Sequence, residues 1–165
     1  MIPASTDCVV IGIGNEFRRD DGIGPAVAAQ LADRGMPAVS CAAEPAAILD
    51  AWTGAELAVL VDAADGAVPG RIRRCAITDL TESTPVSSHD LGVRQTYELG
   101  RALGRAPAEL VLVTIDVADT GHGVGLSPVV AAALPAAVRL IEAVLGRHSG
   151  RAVGQHSGKA ADQHT

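Results

Sequence analysis

A chain of 165 residues suits one domain with a full hydrophobic core. It is 48% hydrophobic but only 2% aromatic, so Ala, Val and Leu must fill the interior, and Trp52, Tyr97 and Phe17 give no stacking platform for single-stranded nucleic acid. The formal net charge of -6 speaks against nucleic acid or an anionic membrane as partner.

Cys8–Ile13 is a β-branched run broken by Gly12 and Gly14, a buried strand. The turn after it begins like a dinucleotide-binding loop and then departs from that pattern. Phe17 stands where a third glycine belongs, and Asp20 and Asp21 stand where a phosphate would need positive potential. Paired carboxylates at a strand-to-helix turn suit a cation. Gly22–Ala32 has helical spacing, with the two acids at its favourable end. Ala38–Ala42 is a second strand, and Pro45 opens a short helix to Trp52. Leu57–Val61 is a buried strand ending in Asp62.

Gly70–Ile77, with interleaved arginines, reads as an exposed strand, and the polar segment Thr78–Ser88 as a loop. His89–Leu103 is a helix and Glu109–Ile115 an interior strand. Ser127 caps a last helix that starts at Pro128 and runs to about Leu145, with Pro135 a candidate kink. Apolar strands alternating with helices predict an α/β fold: three layers, α/β/α, around a twisted, mostly parallel sheet of about five strands. Residues 1–146 form the single domain. Residues 147–165, holding His148, His156 and His164, read as a disordered polar tail.

Cys8, Cys41 and Cys75 read as small buried hydrophobes in a reducing compartment. No apolar run is expected to reach membrane-spanning length, and the first residues lack the pattern of a signal peptide. The expectation is a cytoplasmic protein, a monomer, with no membrane partner. In open α/β sheets, sites form outside the carboxyl ends of the strands. Asp21, Asp62 and His89 all fall there, and an Asp, Asp, His set with an open position suits zinc or nickel. Each of the three also has an ordinary structural explanation at a helix start or strand end. No HExxH helix and no Ser-His or Cys-His nucleophile turn occurs.

Four short motifs in order resemble one family. They are Gly12-Ile13-Gly14-Asn15 with Asp20-Asp21-Gly22-Ile23-Gly24, then Val61-Asp62-Ala63, then Ser88-His89-Asp90-Leu91-Gly92, then Gly125-Leu126-Ser127-Pro128. Over residues 8 to 145 the chain is similar to the hydrogenase maturation proteases, which trim the C-terminus of the nickel-iron hydrogenase large subunit. The resemblance implies a metal-dependent endopeptidase whose Asp21, Asp62 and His89 recognise nickel. That nickel is supplied by the precursor substrate, and zinc or cadmium would substitute adventitiously. Asp20, or a water on the metal, would handle the proton. The chain departs from the family pattern at Glu44-Pro45 and at Asp116-Val117, where Glu44 and Asp116 become candidate substrate contacts. A nickel chaperone that does not cut and a nucleotide-binding module are the alternatives.

Overall fold

In a computed structural model, residues 7–79 and 88–157 are described, with side chains at 79, 88–91 and 152–157 lying outside the description. In chain order the elements are β1 (Cys8–Ile13), α1 (Ile23–Asp33), β2 (Ala38–Cys41), α2 (Pro45–Trp52), β3 (Leu57–Ala64), β4 (Ile72–Ala76), α3 (Ser88–Ala102), β5 (Glu109–Asp116) and α4 (Pro128–Ser157). A 3-10 turn, Arg19–Gly22, leads into α1. The sheet runs β2-β1-β3-β5-β4, parallel except for β4, which pairs antiparallel with β5 at one edge.

Strand alternation divides the core between the two faces. Val10, Val59, Val61, Val111 and Val113 pack with Val27 and Leu31 of α1 and with Val138 and Ile141 of α4. Ile11, Ala58, Leu60, Leu110 and Leu112 pack on the other face with Leu49 and Trp52 of α2 and Val93 of α3. Because helices cover both faces, the central strands read as unbroken apolar runs. Trp52 is buried there, edge-on to Tyr97 with ring centroids 6.3 Å apart.

Asp62 is in step with Ala58 and Leu60, so β3 delivers it to the α2/α3 face at the strand's carboxyl end. Asp21 reaches the same rim by close backbone packing. A Cβ on Gly12 would collide with the Gly24 carbonyl, and one on Gly14 with the Asp21 carbonyl. A Cβ on Gly24 would lie 2.6 Å from the Val61 oxygen and 2.8 Å from the Ile13 nitrogen. The three glycines therefore let the start of α1 lie directly on the ends of β1 and β3. Gly24→Ala sets about 1 kcal/mol of helix propensity gained against a clash with fixed backbone. The clash is larger, and a net loss of about 2 kcal/mol is expected in thermal or denaturant unfolding. A variant as stable as the parent would show that this contact is not tight.

Two expectations change at α4. The helix passes through Pro135 and continues to Ser157, beyond the expected end near Leu145. His148 belongs to it, mostly buried and 3.8 Å from the Glu56 carboxylate, and Arg151 lies 3.9 Å from Glu109. The last turns of the helix thus lie beside the starts of β3 and β5. His156 and His164 lie outside the residues whose side chains are described. Pro128–Arg151 is also long and apolar enough to cross a membrane by length and composition, contrary to expectation. A buried stripe of Val130, Ala137, Val138 and Ile141 packs with the sheet and supplies part of that composition.

Candidate active site

Asp21 and Asp62, far apart in sequence, line one cleft of about 830 Å³ at the carboxyl ends of the parallel strands. The Asp21 carboxylate accepts a hydrogen bond from the Asn15 backbone N–H at 3.0 Å, while the Asn15 side chain accepts one from the Phe17 N–H at 3.0 Å. The amide that a phosphate-binding loop would offer an anion is thus already held by a carboxylate, which removes the basis for the nucleotide-binding reading. The other Asp21 oxygen, Oδ1, has no protein partner among the described residues. Asp62 is buried, and its Oδ1 accepts the Ala63 N–H at 2.8 Å.

His89 stands in the first turn of α3, and its side chain lies outside the described residues. The helix around it does approach the site. Gly92, Val93 and Thr96 line a second hollow of about 230 Å³ together with Asp62. Position 89 is three and four residues ahead of Gly92 and Val93, hence on the same helix face. Among the described residues no group of three His, Cys, Asp or Glu could share an ion; Asp21 and Asp62 line the same cleft.

Asp20 behaves differently from its neighbour. It is wholly buried and does not line the cleft. Its carboxylate accepts the Ala118 and Asp119 N–H groups at 2.9 Å each, the Ser127 N–H at 2.6 Å and the Ser127 hydroxyl at 2.7 Å. Burial alone would raise its pKa, but bonds from Ser127, Asp119 and Ala118 more than offset this, and the value falls below the ordinary carboxylate range. A carboxylate already accepting four hydrogen bonds from the protein is a poor proton carrier. Asp20 is instead a latch joining the first turn to the segment before α4. Ser127 stands at the position expected for a cap, but its hydroxyl serves this latch. Backbone bonds extend the join: Arg19 N–H to Gly123 O at 2.9 Å, Gly123 N–H to Phe17 O at 2.9 Å and Asp20 N–H to Asp119 O at 3.0 Å.

The two candidate substrate contacts lie elsewhere. Asp116 is buried at the end of β5, bonded at 2.6 Å to Arg73, and Gly66 packs on its carboxylate. It is a structural ion pair and does not reach the cleft. Glu44 is exposed just ahead of α2 and does not line the cleft either, although Ala42 and Ala43 do.

The sequence reading missed the cleft's walls. One is the end of β2 with Ser40 and Cys41. The other is a lip carrying Phe17, 63% exposed, and Val124, 74% exposed. The signal for the lip was present in Phe17, the only phenylalanine, placed in a polar turn. Burial pushes the Cys41 thiol up, away from the thiolate a nucleophile requires.

A mostly parallel α/β/α sandwich of this kind is shared with a set of solved endopeptidases. The hydrogenase maturating endopeptidase HybD from E. coli superposes with a TM-score of 0.71, covering 87% of this chain and 93% of that one, at 22% identity, a likeness of fold. The [NiFe] hydrogenase maturation protease HybD from Thermococcus kodakarensis gives 0.70 at 25% identity, over 83% and 97%. A hydrogenase 2 maturation peptidase from Thaumarchaeota archaeon SCGC_AB-539-E09 gives 0.61 at 27% identity, over 84% and 97%. Nothing among curated proteins matches the chain. The family model for hydrogenase maturation protease matches residues 42–144, more than half of the chain, and the protein belongs to that family.

Proposed function

We propose that this protease removes the C-terminal extension of a nickel-loaded hydrogenase large-subunit precursor, recognising the substrate's nickel through Asp21, Asp62 and His89. The observation that carries this reading is the meeting of Asp21 and Asp62 in one cleft, beside the helix face on which position 89 lies. Two carboxylate oxygens and an imidazole make a hard, incomplete donor set for nickel, and soft thiolates supplied by the precursor would complete it. The set would hold free nickel weakly, so the ion enters as part of the substrate. When present it would polarise the scissile carbonyl. Asp21, Asp62 and His89 would fix the ion's place, and the cleft walls would hold the substrate backbone. With Asp20 held in its latch, the proton would pass by way of a water rather than through that side chain.

The test is mass spectrometry of a nickel-loaded large-subunit precursor before and after mixing with the protein, with nickel-free precursor alongside. Loss of a C-terminal fragment from the loaded form alone is expected. Nickel-dependent binding without a mass change would identify a chaperone, and trimming of both forms would remove the metal gate.

A further inference from the structure

We infer that the precursor's C-terminal extension binds as an added antiparallel strand on the free edge of β2; this rests on the function proposed above. The two edges of the sheet are built differently. At one edge β4 carries Arg73 and Arg74, the kind of charge that discourages another strand from pairing. At the other edge β2 reads Ala38-Val39-Ser40-Cys41, with no charge and no proline. Val39 and Ser40 are exposed. An unguarded edge is a standing template for a peptide backbone.

The hydrogen-bond phase identifies the open groups. Val10 N–H donates to Pro37 O at 2.8 Å, and the parallel register pairs Val10 with Ala38. Residues 37, 39 and 41 therefore face β1, and Ala38 and Ser40 turn their N–H and C=O groups outward. No backbone partner takes these groups among the described residues.

The same edge runs into the cleft: Ser40 and Cys41 line it together with Asp21 and Asp62. The scissile bond must lie at the acids, with the folded body of the precursor outside the rim. The extension then leaves the rim and travels down β2, against its direction, which sets the antiparallel sense. Four residues of β2 give a track about 13 Å long. Main-chain pairing gives binding that tolerates varied side chains.

Ser40→Pro removes an outward N–H that the fold does not use, and proline is tolerated on edge strands. With nickel-loaded precursor as substrate, this variant is expected to lose kcat/KM by about tenfold or more, mainly in KM, with Tm within a few degrees of the parent. Hydrogen–deuterium exchange of residues 38–41 in the full chain should slow when that precursor is added. Trimming by the parent with unchanged exchange at 38–41 overturns the strand addition and leaves the protease intact, whatever the fate of the proline variant; so does trimming by Ser40→Pro at the parent rate. Concentration-dependent protection of 38–41 in the protein alone would give the edge to a second copy and equally overturn the inference. Failure of the parent to trim at all removes the proposed activity itself.

Discussion

Asp62→Asn should leave a folded protein that trims its precursor about 10³-fold more slowly. The amide keeps the shape of the carboxylate, and its oxygen can still accept the Ala63 N–H at the end of β3. What disappears is the charge of one of the two carboxylates that line the cleft. If the cleft recognises the precursor's nickel as proposed, that loss weakens its hold on the ion. The measurement is single-turnover trimming of nickel-loaded precursor, with thermal unfolding run in parallel. Trimming near the parental rate would remove Asp62 from the ligand set. A large drop in Tm would instead assign it to the fold, since it is buried as well as acidic.

Asp20→Ala should act on stability first. The substitution orphans three backbone N–H groups and the Ser127 hydroxyl. Each orphaned buried donor costs about 1–3 kcal/mol, and partial access of water to these loops reduces the sum to about 4 kcal/mol. For a domain of this size that is a fall in Tm of about 10 °C. The pH dependence carries the same signature. The folded-state pKa of Asp20 lies below its ordinary value of 3.8. A depressed carboxylate contributes stability that is complete above the unfolded value and is lost as pH falls through the folded one. The parent should therefore lose this contribution on acidification below about pH 4, while Asp20→Ala has none to lose and shows a shallower acid limb. Parallel acid limbs for the two proteins would show that the latch carries no ionic component.

The chain made its layers plain because its signals were periodic. Unbroken apolar strands at 57–61 and 109–115 can only be central, and the helices between them set a parallel sheet. The arginine-bearing strand at 72–76 was readable as exposed and is the antiparallel edge. The rim position of Asp21 and Asp62 followed from strand ends. Asp20 and Asp21 could not be told apart by order alone. A one-residue step in a 3-10 turn points one carboxylate inward to loop amides and the other outward to the cleft, and the amides belong to residues 118, 119 and 127. Asp116 looked like a site acid because its partner Arg73 lies on a different strand, more than forty positions earlier. The end of α4 lies beyond its apolar pattern, where His148 and Arg151 sit close to Glu56 and Glu109, residues distant in sequence that periodicity does not see.

The join between residues 17–20 and 118–127 has a further consequence for how the mouth of this enzyme can change. Phe17 and Val124 project from two stretches of chain that are stitched to each other and share one anchor, Asp20. Neither stretch can be lengthened, shortened or exchanged with that of another protease without unfastening its mate. Retargeting the entrance to a different precursor therefore calls for grafting both stretches together as a cassette, with the aspartate and the serine travelling as a matched set.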